Sequence, residues 1–436
     1  MSGSRSLIDL GDLIQSCTKS IHDVLSQSQL PQPTFSSTTP SDINILHGTI
    51  QDNRAKLLEA LEELRTLVLG PTSYIFHTAV LNPSWVATFA VLYTYRIAQH
   101  VPADGTISYA ELSERCGLPT SDIKRILRAA ISIHIFQEER SDFVKHNANS
   151  AILKTALGHD ALGFFTEEYT SAALKLPESL RRFPASDNVG ESAAAIANGD
   201  GGDQDIFALI SHDPERVARL ANAHSFVATV PETSLAHFVE HVPWSTKRGS
   251  IKCPQVVVDI GGSHGSLCKG LLREYPGIEK AIVEDLPEVI EKKAHRPTEE
   301  NFEGRLEYQH YNFFTEQVVK GADVYIFRTV LHDWPDSAAV QILKNQIPAL
   351  KLGSTILIND ICGQEASAGT SPIHQAQYAY DLFVKMGVNA KERTQEDWTK
   401  LLADADRGFK LASIVTPAHC VHSIIEVVWQ GDTETG

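Results

Sequence analysis

Between residues 5 and 27, Leu7, Leu10, Ile14, Cys17, Ile21, Val24 and Leu25 fall three or four positions apart, the spacing of one face of an amphipathic helix. The Pro, Ser and Thr content of SQLPQPTFSSTTPSD (28–42) predicts a linker. After it Leu57, Leu58, Leu61, Leu64 and Val68 mark a second helix ended near Gly70 and Pro71. The stretch ISYAELSERCGLPTSDIKRILRAAISIHIFQEE (107–139) predicts a helix, a GLPT turn and a second helix capped by Thr120 or Ser121, and DFVKHN predicts a short wing strand. Helical spacing continues over 156–240, carrying Phe164, Phe165, Tyr169, Phe183, Phe207, Phe226 and Phe238, with a Gly/Asp-rich loop at 197–205. From Lys252 onward the grammar changes. QVVVDI (255–260), EKAIVED (279–285), ADVYIF (322–327) and STILIND (354–360) are short apolar runs separated by helical segments, as a parallel sheet covered on both faces requires. KLASIVT and HSIIEVVWQ follow as a closely joined antiparallel pair.

These patterns predict a helical N-terminal extension with linker (1–70), a mainly helical winged-helix domain (71–155), a helical connector lining a substrate pocket (156–250) and an α/β domain with a Rossmann-like parallel sheet and an antiparallel terminal strand (251–436). A length of 436 residues provides for two or three domains with their own cores. The net charge of −16 repels phosphate backbones and anionic membrane surfaces, so the basic positions Lys124, Arg125 and Arg128 of the winged helix do not by themselves argue for nucleic acid. Six scattered cysteines without a CxxC pair fit reduced thiols in the cytoplasm. No signal peptide is read at MSGSRSLIDLGD, and Asn82, Pro83, Ser84 and Arg96 interrupt Ala79–Ala98, which reads as a buried core helix and not a membrane span.

The chemistry concentrates at the carboxyl ends of the predicted strands, where ligands bind in open α/β sheets. VVVDIGGSHGSLCKGLL joins a strand ending at Asp259 to a turn with Gly261, Gly262 and Gly265 and to a helix starting near His264. The turn does not match GxGxxG, so a dinucleotide is not indicated. Asp285 ends the next strand, with Glu284 beside it, where a carboxylate can hold both hydroxyls of a ribose. FRTVLHDWPD places Arg328, His332, Asp333 and Trp334 at the end of the third strand, and a histidine there can serve as a general base. Asp360 ends the following strand and Glu392 lies in a polar KERT segment, so carboxylates are available to fix the imidazole tautomer. The acidic positions lack a compact ligand spacing, and no metal is expected.

DIGGSHG, EDLPEVI, LHDWPD, NDIC and KERTQEDW, in this order, resemble the plant- and fungal-type S-adenosylmethionine-dependent O-methyltransferases of small molecules over about residues 72–430. The resemblance implies a class I methyltransferase domain preceded by a winged helix that serves homodimerisation. It implies that Gly261 and its neighbours lie along the methionine part of the cofactor, that Asp285 holds the ribose, that Asn312, Phe313 and Phe314 lie beside the adenine, that Arg328 contacts the cofactor, and that Asp259 and Leu286 belong to the same cofactor site. His332 would be the base, flanked by Asp360 and Glu392. The sequence departs from the family at three places. Ser263 stands where a third glycine is usual, which suits a residue without positive φ. Asn312 replaces an Asp, its amide oxygen accepting from the adenine amino group. The segment Ala221–Ser225 lacks the methionine that packs an acceptor ring, Met1 and Met386 being the two in the chain.

Three functions compete. The first is methyl transfer to a phenolic, enolic or carboxylic oxygen of a small secondary metabolite, with a fungal look to the long N-terminal extension. The second is a pericyclase or other non-methylating catalyst that retains the cofactor. The third is a DNA-binding regulator. His332 with both carboxylates favours the first, and the charge balance disfavours the third.

Overall fold

The computed structural model describes residues 5–38, 48–199, 206–246, 252–291, 302, 304–363 and 370–431. The linker 28–42 and the loop 197–205 therefore lie partly outside the described residues. The chain forms two compact units, one of residues 1–171, 210–227 and 370–372, the other of 172–209, 228–369 and 373–436.

In the first unit, helix Leu7–Gln27 starts with a capping box between Ser6 and Asp9 and buries Leu10, Cys17, Ile21 and Leu25. Ile21 and Leu25 pack with Ile50 of helix Gly48–Ile75, which supplies the partner surface the pattern demanded. That helix breaks at Gly70, whose φ of 67° and ψ of 166° are not helical, and the helical stretch Gly48–Thr94 around it holds a window long and apolar enough, by length and composition alone, to cross a membrane. Helix Asn82–Thr94 buries only Thr88 and Leu92 within the chain, contrary to the expected core helix over Ala79–Ala98. The winged helix consists of helices Tyr109–Cys116 and Thr120–Ser132 and a sheet of β1 (Ile107–Ser108), β2 (Gln137–Arg140) and β3 (Phe143–Lys145) in the order β1-β3-β2. Ser108 caps the first helix and Gly117, with φ 68°, ends it. The second helix has Pro119 at its N-cap, and neither Thr120 nor Ser121 caps it, because both already lie within the first turn. Its Lys124 pairs with Asp142 of the wing at 2.7 Å, and Arg125 lies 3.6 Å from Asp122, so part of the positive charge of this face is neutralised from within the domain.

The second unit is built on β4 (Val256–Ile260), β5 (Lys280–Asp285), β6 (Leu306–His310), β7 (Val324–Arg328), β8 (Thr355–Asn359), β9 (Cys362–Gly363), β10 (Arg393–Thr394), β11 (Phe409–Val415) and β12 (Ile424–Trp429). Seven of these make one sheet in the order β11-β12-β8-β7-β4-β5-β6. β4 to β8 are parallel, and β12 enters antiparallel between β8 and β11. Alternate side chains feed two cores. Val258, Ile260, Tyr325, Phe327, Ile356 and Ile358 pack on one face with Ile342 of helix Asp336–Gln346 and Trp398 of helix Gln395–Ala405. Val257, Val324, Ile326 and Leu357 pack on the other with Leu267 and Leu271 of helix Ser266–Glu274. Burial on both faces explains why these strands read as unbroken apolar runs.

The chain leaves β4 for β5 and β6 on one side, then crosses back to β7 and β8 on the other. The carboxyl ends of β4 and β7 therefore flank the point where strand order reverses, which opens a crevice at that edge.

Candidate active site

The turn after β4 is shaped by contacts that only glycine permits. Gly261 has φ 72°, and the amides of Gly261 and Gly262 donate to the carbonyl of Glu284 at 2.8 and 3.0 Å. A Cβ at Gly262 would stand 2.5 Å from Asp259 Oδ2, so the backbone lies where a side chain cannot. Ser263 has φ 45°, so the condition under which a serine would sit here without strain is not met. A left-handed non-glycine residue carries about 1 kcal/mol of strain. Its amide donates to Asp285 Oδ2 at 2.8 Å, which holds it there. Helix Ser266–Glu274 begins two residues after His264, with Gly265 as its N-cap.

Asp285 also accepts from the Leu286 amide at 2.8 Å through Oδ1. Each carboxylate oxygen keeps a further acceptor position, as a ribose diol would need. Burial raises its pKa, and the two amide hydrogen bonds oppose that rise. Leu286 touches this group through its backbone, its side chain being exposed. Asp259, 2% exposed, is pushed by burial up to about 7, the charge of Arg328 working against the shift. Arg328 donates through Nη2 to the Thr233 carbonyl at 2.9 Å, and its buried Nε has no partner among the described residues.

Asn312 does not hold its amide oxygen free, because Oδ1 accepts from the Phe314 amide at 3.0 Å in a short turn. Phe313 and Phe314 gather with Phe207 around the Trp334 ring, the Phe314 and Trp334 centroids lying 4.7 Å apart. Beneath this segment Gln317 Nε2 donates to the fully buried Glu284 at 2.8 Å, and Asn345 Nδ2 donates to the Phe313 carbonyl at 2.9 Å.

The second cluster forms where β7 and β8 end. Arg328 pairs in register with Asn359, so the residues just beyond both strands are neighbours. The His332 amide donates to Asp360 Oδ2 at 3.1 Å, and His332 Nδ1 lies 2.8 Å from Glu392 Oε1. The contact with Glu392 spans 60 positions of chain and depends on the two-residue parallel pairing of β9 with β10, which sets Arg393 opposite Cys362. Asp333 Oδ1 lies 3.6 Å from His332 Nε2. Burial disfavours charge on His332, but Glu392, Asp333 and Asp360 outweigh it and push the imidazole up to about 10. Burial pushes Asp333 and Asp360 up to about 6, with the His332 charge drawing both back down.

Arg393, whose side chain is fully buried, was not singled out in the sequence. Its Nη1 donates to the Leu331 carbonyl and its Nη2 to the Trp334 carbonyl, both at 2.7 Å, while Nε donates to Asp336 at 2.8 Å. Three bonds from one planar guanidinium clamp the turn that carries His332.

The glycine turn, Asp285, and the buried Arg328 donor offer a narrow backbone cradle, a diol acceptor and a cation, which fit the parts of S-adenosylmethionine. A family model described as an O-methyltransferase domain matches residues 247–410. The chain is 32% identical to O-methyltransferase kk1A of Curvularia clavata over 98% of both chains. It is 33% identical to the chlorophenol O-methyltransferase of Trichoderma longibrachiatum, over 98% of this chain and 90% of that one. This chain belongs to the O-methyltransferase family. Among solved structures, LepI in complex with SAH and a substrate analogue superposes with a TM-score of 0.75 at 25% identity, covering 96% of this chain and 99% of that one. OxaC in complex with SAH and oxaline shares the fold with a TM-score of 0.73 at 22% identity, covering 96% and 100%. As an O-methyltransferase of the fungal secondary-metabolite type, the protein uses S-adenosylmethionine as methyl donor.

Replacing Arg393 by Lys keeps the charge and loses the planar fork. The variant is expected to lose about 2 kcal/mol of stability in denaturant unfolding and roughly tenfold in kcat, with S-adenosylmethionine affinity unchanged by calorimetry. An undiminished kcat in the folded variant would show that the turn holds its shape without the clamp.

Proposed function

We propose that His332 is the general base for O-methylation of a small, partly apolar acceptor, and that the glycine turn, Asp285, Phe313, Phe314 and Arg328 hold the cofactor beside it. The observation that carries this reading is the 2.8 Å contact of His332 Nδ1 with the buried Glu392 carboxylate. With the Nδ1 proton directed at Glu392, the neutral imidazole presents its Nε2 lone pair, and Nε2 accepts the proton of the acceptor hydroxyl. Asp360 fixes the backbone of the base, and both carboxylates stabilise the imidazolium formed. S-adenosylmethionine, when bound, supplies a methyl group on a sulfonium, whose S–C bond breaks as the acceptor oxygen bonds the carbon. Asp259 and Arg328 would face the methionine end, Asp285 and Leu286 the ribose, and the Asn312 to Phe314 turn the adenine. Asn312 would reach the adenine amino group only through the second lone pair of its amide oxygen, the first being engaged by the Phe314 amide.

In the same reading the protein is a homodimer in the cytoplasm and binds neither nucleic acid nor membrane. Leu61, Leu67, Val68, Ile75, Phe76 and Val80 are all exposed along residues 61–80, an apolar stripe that a second copy would cover. None of the six cysteines is in a disulfide, as suits a reducing compartment.

Methyl-deuterated S-adenosylmethionine incubated with the protein and a metabolite extract of its producer is expected to give a labelled product by mass spectrometry. His332→Ala should reduce it roughly 10²- to 10⁴-fold. An isomerised or dehydrated product without label would instead make this a non-methylating catalyst on the same scaffold.

The pH profile follows from the sign of the His332 shift. The base must be neutral to accept a proton, and the carboxylates hold its protonated form, so kcat/KM should rise with pH with a midpoint well above the ordinary imidazole value of about 6.5. Glu392→Gln removes the strongest of the charges that raise it and should move that midpoint to lower pH. A midpoint that stays in place in the variant would assign the limb to another group.

Light scattering at micromolar concentration should return about twice the 47.9 kDa of one chain, and Val68→Asp together with Phe76→Asp should return the single mass. A monomeric wild type would exclude the dimer.

A further inference from the structure

His422 is 4% exposed, and its ring nitrogens, for which no hydrogen bond is found among the described residues, are not among the fully buried unpaired atoms, so they keep a small opening toward solvent. A polar group with so little access to water gains from a ligand or bound water that completes its bonding. The fold decides which ligand. β12 runs antiparallel to β8, with Ile425 opposite Ile358, and the Ser423 amide donates to the Asp360 carbonyl at 2.8 Å. His422 thus comes immediately before the residue tied to Asp360, at the same sheet edge that carries His332.

The strand order then separates His422 from the cofactor residues. Three strand spacings lie between β12 and β4, and four between β12 and β5. At about 4.8 Å per strand this is roughly 14 Å from the glycine-turn strand and 19 Å from the Asp285 strand. Between them stand the strands that bring His332 and Asp360 to the edge, so a ligand reaching His422 approaches from the acceptor side of the base.

Charge and shape narrow the ligand further. Burial first, then the positive charge of Arg328 and of protonated His332, keep the His422 imidazole neutral, so it offers one N–H donor and one acceptor. The same cations favour an oxygen over an ammonium as its partner. The Tyr380 ring, 6.4 Å from the His422 ring, pairs in turn with Phe383 at 6.4 Å, which provides an aromatic wall for a planar group.

We propose that His422 is a specificity-determining residue that donates a hydrogen bond to a second oxygen of an aromatic acceptor, beside the oxygen presented to His332. The inference rests on the reading of His332 as the base.

Catechol and 2-methylphenol are a matched pair that differ by one hydroxyl in place of a methyl group. With the protein loaded with S-adenosylhomocysteine, calorimetry should show catechol binding roughly tenfold more tightly than 2-methylphenol. His422→Phe keeps a ring and removes both nitrogens, and should abolish the preference. His422→Gln keeps a donor and should restore part of it. In wild-type protein carrying ¹⁵N-histidine, catechol should shift the His422 ring resonances and 2-methylphenol should not, a readout that stands even if a variant fails to fold. Equal affinity for the two phenols, binding of neither, an undiminished preference in His422→Phe or unmoved resonances overturns the inference. Failure of the base reading looks different: His332→Ala would turn over catechol as fast as wild type while the His422 preference persisted.

Discussion

An ionisable cluster with three carboxylates around one imidazole is removed from water at the end of β7 and β8, and the site depends on how that cost is met. Burial alone would strip His332 of its proton and neutralise Asp333 and Asp360. Brought together, the groups oppose those tendencies in one another, and the imidazolium becomes the favoured form in spite of its burial. The arrangement holds because its backbone is pinned: Asp360 accepts the His332 amide, Asp381 accepts the Glu392 amide at 2.9 Å, and Arg393 gathers the carbonyls on either side of the histidine turn. Removing one partner of such a cluster costs more than the pair contributes, since the remaining charge stays buried.

The sheet places this cluster without placing any of its members directly. Each comes from the residue just past a strand, or from the short β9 and β10 pairing beyond one. Reversal of strand order at β4 and β7 divides the edge into two halves. β4, β5 and β6 carry the glycine turn, Asp285 and the Asn312 to Phe314 turn, while β7, β8 and β12 carry His332, Asp360 and His422. Arg328 ends the strand at the boundary, and its charge bears on both Asp259 and His422.

How much of this was legible in the sequence follows from the range of each signal. Strands buried on both faces announce themselves as apolar runs, and strand ends followed by Asp or His can be read locally, which is why Asp285, His332 and Asp360 stood out. Arg393 did not, because its three acceptors lie 57 to 62 positions away and two of them are backbone carbonyls, which carry no sequence mark. His422 was hidden for a topological reason: only after β12 is known to run antiparallel beside β8 does the start of a strand fall at the carboxyl edge. The strain at Ser263 was not legible because a serine reports nothing of its φ, whereas a glycine would have. The cap of helix Thr120–Ser132 was misplaced by a residue or two, the ordinary error when Pro, Thr and Ser compete for one boundary.

A shared scaffold does not select a reaction, since the half of the edge proposed to hold the cofactor would serve any chemistry that needs the same ligand. Selection lies in the other half. A neutral His332 held by Glu392 can take a proton from an oxygen, and a methyl donor is useful only where an oxygen is made nucleophilic in line with it. Were the carboxylates absent, burial would leave an imidazole that readily loses a proton and hardly holds one, poorly suited to accept the acceptor's. With His332 as the proposed base, the carboxylates and the clamp that positions the histidine turn are what would fit this edge for O-methylation, acting through the stability of the protonated base and not through contact with the methyl group.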